Sequence, residues 1–140
     1  MYDKFAPIIP FVGMGGIRLN MTKQEVERLL GRRLEQNTTR ADDAWVRYEV
    51  EDIMTLFFTE SGDRLVAMET LPGYRGTLPS GIGTDTDEQL LSVLDPSLEY
   101  DEFEEFYSSG ESGIQIETNL PEHKAVWILI HVPELNALKG

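Results

Sequence analysis

WVRYEVEDIMTLFFTESGDRLVAMET, residues 45–70, holds the clearest structural pattern in this chain. Apolar and polar side chains alternate over 45–50, and a second run rich in β-forming residues follows at 53–59. Alternation with a period of two is typical of β-strands. The Glu-Ser-Gly-Asp segment at 60–63 predicts a turn, and a third strand follows at 64–70. The stretch therefore predicts a meander of three antiparallel strands.

A short amphipathic helix is predicted just before this meander, in NMTKQEVERLLG at residues 20–31. Asn20 or Thr22 can cap its start, and Gly31 can take the left-handed conformation that ends it. The apolar side chains of 26, 29 and 30 fall on one face at helical spacing. Residues 20–70 thus predict a unit of one helix and three strands.

The same order of elements recurs in the second half. Residues 81–96 predict a capped helix that ends at Pro96, and strands are predicted at 102–107, 113–118 and 125–131. Sliding the halves by about 65 positions superposes Gly16-Ile17 on Gly81-Ile82. This correspondence predicts an internal repeat.

We therefore predict an α+β fold of two tandem helix-plus-three-strand repeats in a single domain, residues 1–140. Repeat one covers about 13–70, a linker covers about 71–80, repeat two covers about 81–131, and a C-terminal tail covers 132–140. Side by side, the repeats would form one antiparallel sheet of about six strands with both helices on one face.

The composition excludes several classes of protein. With 140 residues, 41% of them hydrophobic, the chain can build one core without staples. It has no cysteine, which excludes disulfides, thiolate metal sites and a cysteine nucleophile. Two prolines interrupt the apolar N-terminal stretch, so no signal peptide is expected, and no apolar run reaches membrane-spanning length. We expect a cytoplasmic protein with no membrane contact.

Negative charge is concentrated in the second half. Residues 1–70 carry 9 basic and 12 acidic side chains, whereas residues 71–140 carry 3 and 13, for a net charge of -13. Such a field repels nucleic acid and anionic lipid and speeds association with a basic partner. It is equally compatible with an acidic surface that only keeps the protein soluble.

No catalytic, metal-binding or cofactor-binding residue is predicted, and we expect no enzymatic activity. The loop at 13–16, GMGG, lacks a following Lys-Ser/Thr and is interpreted as a flexible lead into the first repeat. His123 and His131 have no further ligand nearby at metal-binding spacing, and we interpret His123 as a solvated turn residue. The Ser-Gly pairs are turn dipeptides outside any nucleophile motif.

The strongest candidate site is the run EYDEFEEFY at 99–107, where five carboxylates are interleaved with four aromatic rings. It lacks both the paired inward carboxylates of a glycosidase and the order of a calcium loop. Rings that anchor a protein partner while carboxylates meet its Lys and Arg fit better. The predicted partner-binding residues are Glu99, Tyr100, Asp101, Glu102, Phe103, Glu104, Glu105, Tyr107 and Glu111. A solvated face with Phe103, Phe106 and Tyr107 partly in the core is the alternative.

Two family resemblances bear on these observations. The string MTKQEVERLLG at 21–31 resembles the M-T-x-x-E-V-x-x-L-L-G opening of small α/β repeats in proteins of the beta-lactamase-inhibitor type and in small lipoproteins of the outer-membrane barrel-assembly machinery. As a whole, the small, acidic, cysteine-free chain resembles cytoplasmic immunity proteins of bacterial contact-dependent toxin systems. The latter resemblance implies a tight complex with a toxin domain, often a basic nuclease.

The leading functional hypothesis is therefore an immunity protein that occludes a basic, nuclease-like toxin with an acidic surface. One alternative is a small-ligand or enzymatic domain that uses the sheet face near Trp127 and His131, opposite the helices. The tail from Val132 to Leu138 could instead cover that face. A structural module of a larger assembly, joined through exposed strand edges, is the remaining alternative.

Overall fold

The computed structural model describes residues 2–34, 45–109 and 111–134. In this part of the chain, two helices and nine strands occur in the order β1 (Gly13–Met14), β2 (Ile17–Arg18), α1 (Lys23–Leu30), β3 (Trp45–Val50), β4 (Met54–Thr59), β5 (Leu65–Thr70), α2 (Glu88–Leu94), β6 (Glu99–Asp101), β7 (Phe106–Ser109), β8 (Ile114–Thr118) and β9 (Ala125–His131). β1 and β2 form a small ribbon. The other strands form one antiparallel sheet, called here the large sheet, in the order β3-β4-β5-β9-β8-β7-β6.

The middle of the large sheet is the junction of β5 with β9. Their backbones pair from Ala67 with His131 to Glu69 with Leu129. Beyond that pair, the buried Thr70 hydroxyl donates to the Val126 carbonyl at 2.7 Å and accepts from the Ile128 N–H at 2.9 Å. A side chain thus continues the connection where the backbone ladder ends.

The main core lies against one face of the large sheet. Inward residues such as Val50, Leu56 and Met68 are fully buried, as the strand period of two requires. Residues from outside the sheet cover them, including Ile8, Met14, Ile17, Val26, Tyr74, Leu78, Ile82 and Leu91. Val26 is the buried residue of α1, and Leu91 is that of α2. Loops and the ribbon therefore supply much of this cover.

The ribbon is a tight hairpin. Gly15 and Gly16 have φ values of +68° and +83°, which L side chains rarely adopt, and they form its turn. The buried Tyr74 hydroxyl accepts from the Gly15 N–H and donates to the Ala6 carbonyl, both at 2.7 Å. The interpretation of residues 13–16 as a flexible lead is therefore wrong.

Most local predictions are confirmed. α1 begins after Thr22, which caps it, and ends at Gly31, whose φ is +72°. β3 and β9 have the predicted bounds, while β4, β5 and β8 each begin one residue later than predicted. α2 lies inside the predicted segment and ends two residues before Pro96.

The predicted fold class is wrong. In the described residues the protein is mostly sheet, with seven strands in the large sheet, two in the ribbon, and helices of only eight and seven residues. The first half contributes three strands to the large sheet and the second contributes four. The chain is therefore mainly one seven-stranded sheet and not a tandem repeat of helix-plus-three-strand units.

The extra strand comes from the acidic run, which was predicted to hold one strand at 102–107. Residues 102–105 instead form a turn between β6 and β7. Most of the predicted tail, residues 135–140, lies outside the described residues.

Candidate functional site: an acidic edge hairpin

The acidic run folds into a hairpin at the edge of the large sheet, called here the edge hairpin (99–109). Asp101 begins its turn, because one carboxylate oxygen accepts from the N–H groups of Phe103 at 2.9 Å and Glu104 at 3.1 Å. The Glu105 N–H donates to the Asp101 carbonyl at 2.7 Å, and Glu105 has a φ of +60°. Asp101 therefore shapes the turn, whereas the carboxylates after it lie on the surface.

Phe103 is the most exposed large apolar residue of the hairpin, with 98% of its surface accessible. It lies in the turn between the exposed Glu102 and Glu104, with Glu105 following. A ring held in water gains nothing from the fold of this chain, because burial is what makes apolar side chains stabilising. The alternative that placed Phe103 partly in the core is thus wrong, although Phe106 and Tyr107 are half-buried.

Two tyrosine rings lie in contact behind the turn, tilted by 58° to each other. Tyr100 on β6 pairs with Tyr107 on β7, and their ring centroids are 4.9 Å apart. Tyr100 is 49% exposed, so its ring extends the aromatic surface of the hairpin beyond Phe103. β6 is the last strand in the sheet order, which leaves its outer edge without a neighbouring strand among the described residues.

Side chains from α2 and from the β8–β9 turn support the base of the hairpin. The Tyr107 hydroxyl donates to one Glu88 oxygen at 2.6 Å, and the other Glu88 oxygen lies 3.0 Å from His123 Nδ1. Burial, reinforced by the hydrogen bond to Glu88, raises the pKa of Tyr107 to about 12. The tyrosine therefore stays neutral throughout the physiological pH range, and its hydroxyl donates a hydrogen bond to Glu88.

A depression of about 430 Å³ lies beside this support and is lined by Asp87, Glu88, Gln89, Glu122 and His123. Lys124 is paired with Asp87 at 2.5 Å, and this hydrogen bond raises the pKa of Lys124. His123 is an exposed turn residue, as interpreted from the sequence, and its φ is +57°. Two carboxylates of the depression, Asp87 and Glu88, are thus already engaged within the chain.

The structure brings together most of the nine predicted residues. Glu102, Phe103, Glu104 and Glu105 share the turn, and Tyr100 and Tyr107 form the ring pair directly behind it. Glu99 lies at the other end of the hairpin, paired with Ser108. Glu111 follows the far end of β7, in the turn toward β8, and is separate from the cluster.

Sequence reasoning missed Glu88 as part of this site. It lies 19 residues before Tyr107 and 35 before His123, so no local motif links the three side chains. Its position in the first turn of a predicted helix was the available signal, and that signal indicates only a favourable helix start.

The alternative ligand site, the sheet face near Trp127 and His131, has its histidine buried. His131 is 2% exposed, its Nδ1 lies 2.8 Å from the Val132 carbonyl, and the Phe11 ring meets it edge-on. Trp127 and Leu129 are half-buried on the same face of β9. A buried imidazole in this position does not present a base to a ligand at the surface.

Comparisons with known proteins add no family to these observations. Across residues 2–34, 45–109 and 111–134, no helix is both long and apolar enough to cross a membrane. Within the same residues, no group of three or more His, Asp or Glu side chains is arranged to hold a metal ion. No family model, curated protein or solved structure shows a significant match to the chain.

Proposed function

We propose that this chain is a cytoplasmic protein-binding inhibitor of the immunity type, which neutralises a basic, nuclease-like toxin domain by occluding it with the edge hairpin. The observation that carries the proposal is the exposed Phe103 ring surrounded by carboxylates. Phe103 is 98% exposed, and aromatic side chains, Phe included, are enriched in protein interfaces relative to the rest of the surface. The surrounding carboxylates select a partner rich in Lys and Arg.

The charge distribution supports the same class of partner. The second half of the chain, which contains the hairpin, carries 13 acidic and 3 basic residues. A field of this sign steers a basic protein toward the hairpin. The hairpin and nucleic acid are both negatively charged, so the hairpin would compete with nucleic acid for the basic surface of a nuclease.

The test co-expresses this protein with a candidate basic nuclease toxin domain, and measures rescue of growth and the Kd of the purified pair. The substitution Phe103→Ala removes the anchor and is expected to cost about 2 kcal/mol, or roughly thirtyfold in Kd. The triple substitution Glu102→Lys, Glu104→Lys and Glu105→Lys is expected to abolish rescue. It reverses the charge next to the ring.

A charge-matched control separates the site from the overall charge. Asp52, Glu60 and Asp63 lie exposed in turns of the first half, and changing all three to Lys alters the net charge by the same amount. This control is expected to retain rescue and to lower only the association rate at low ionic strength. If both triple variants lost rescue and affinity equally, or if Phe103→Ala kept the wild-type Kd, the edge hairpin would not be the interface.

A further inference from the structure

A second cavity lies away from the hairpin, where the N-terminal segment meets the end of α1 and the turn between β3 and β4. Its volume is about 630 Å³, within the range of small-molecule sites, which runs from about 300 to 1,000 Å³. Apolar surface comes from Tyr2, Phe5, Leu30 and Ile53. Phe5 is 67% exposed, so its ring is an apolar wall that the fold leaves open.

The walls of this cavity are held in place by backbone hydrogen bonds. The Asp3 N–H donates to the Gly15 carbonyl at 2.9 Å, and the Lys4 carbonyl accepts from the N–H groups of Arg75 at 2.8 Å and Gly76 at 3.0 Å. Ile53 is buried and forms part of the core. A cavity preformed in this way loses little conformational entropy when a ligand enters.

The rim of the cavity carries two acidic and two basic side chains. Both acidic groups are already engaged: the Asp3 carboxylate accepts from the Phe5 N–H, and Glu51 accepts from the Tyr2 hydroxyl at 2.6 Å and faces Arg32 at 3.9 Å. Lys4 lies over the Phe5 ring, 5.5 Å from its centroid, with no carboxylate in salt-bridge distance among the described residues. Lys4 and the remaining Arg32 donors are therefore available to a ligand.

We propose that this cavity binds a small organic anion with an aromatic body, whose ring lies between Phe5, Leu30 and Ile53 and whose acid group meets Lys4 and Arg32. The ring would replace water on the apolar walls. The acid group would pair with Lys4 and with the Arg32 donors that Glu51 does not engage. In a chain with a net charge of -13, such a site selects against the basic ligands that the rest of the surface attracts.

The test uses two probes with the same ring and opposite charge, naphthalene-1-carboxylate and naphthalen-1-ylmethylammonium. They are titrated into the ¹⁵N-labelled protein while backbone amide shifts are followed. The anion is expected to produce saturable shifts at Phe5, Arg32 and Ile53. The cation is expected to leave these amides unchanged at the same concentration.

Two charge-matched double variants complete the experiment. Lys4→Gln with Arg32→Gln is expected to weaken binding of the anion about tenfold, whereas Arg28→Gln with Arg33→Gln, on exposed residues outside the cavity lining, is expected to leave it unchanged. Equal affinity for both probes, the absence of saturable shifts, or equal weakening by both double variants would overturn the proposal. Because the cavity contains no hairpin residue, Phe103→Ala should bind the anion normally, so this proposal and the proposed function fail independently.

Discussion

Glu69 is a carboxyl group in an unfavourable environment for its charge. It lies on β5, between Thr55 of β4 and Leu129 of β9, on the face of the large sheet opposite the main core. Burial first and the nearby charge of Glu117 second raise the pKa of Glu69 from 4.5 to about 7, against the opposing effect of Arg47. The hydroxyl of Thr55 is also buried and has no hydrogen-bond partner in the described part of the chain.

This pKa predicts how stability depends on pH. The folded protein binds the Glu69 proton more tightly than the unfolded chain, so the stabilisation is complete below about pH 4.5 and is lost as pH rises toward 7. Glu69→Gln removes the ionisable group. At pH 8 it is expected to raise the free energy of unfolding by about 1–3 kcal/mol, measured by urea denaturation.

The comparison across pH provides the control. Below pH 4.5 the variant and the wild type should have similar stability, because the wild-type carboxyl is then protonated in both states. Glu117→Gln keeps Glu69 but removes a neighbouring charge, so it should move the pH transition to lower values. A wild-type pH profile in Glu69→Gln would contradict the assignment.

At the scale of single elements, α1 illustrates how much local sequence can specify. The Thr22 hydroxyl accepts from the Glu25 N–H at 3.1 Å, and the Glu25 carboxylate accepts from the Thr22 N–H at 3.0 Å. The two residues thus form a reciprocal capping box. Hydrogen bonding to Thr22 lowers the pKa of Glu25, which favours the charged form near the positive end of the helix dipole.

Thr22→Ala removes the hydroxyl half of this capping box. The expected loss in the free energy of unfolding is about 1 kcal/mol, because the Glu25 N–H loses its partner at the exposed helix start. Thermal and urea denaturation measure the change. Thr22→Ser keeps the hydroxyl and should retain most of the stability, so an equal loss in both variants would point to the methyl group rather than the cap.

For the molecule as a whole, the decisive contact is the one between its two halves. β5 and β9 share three backbone pairs, and the Thr70 hydroxyl bridges the Val126 carbonyl and the Ile128 N–H beyond them. Thr70 is fully buried, so water cannot replace these bonds. The side chain therefore connects β5 to two residues of β9 that lie 56 and 58 positions further along the chain.

Thr70→Val has nearly the same shape but leaves a buried carbonyl and a buried N–H without their partner. We expect it to lower the free energy of unfolding by about 2–3 kcal/mol, measured by chemical denaturation. Hydrogen exchange should quicken in both β5 and β9. Thr70→Ser preserves the hydroxyl and serves as the matched control, and normal exchange in Thr70→Val would refute the role of Thr70 as the bridge.

Sequence reasoning located most elements but misjudged how they combine. The helix over 20–31 and the strands at 45–50 and 125–131 follow from signals within a few residues, namely caps and alternation. The run at 99–107 carries no turn-forming Gly or Pro, so one strand was predicted. The turn there depends instead on the Asp101 carboxylate, which accepts from two backbone N–H groups.

The sequence by itself determined the capped α1, the alternating strands, the absence of cysteine and the concentration of acid in the second half. Tertiary structure alone decided that β5 pairs with β9, that Glu88 joins Tyr107 to His123, and that Glu69 is partly buried near Glu117. The physical reason is range. Caps and strand periodicity act between residues a few positions apart, whereas sheet neighbours, burial and shifted pKa values depend on side chains that only folding brings together.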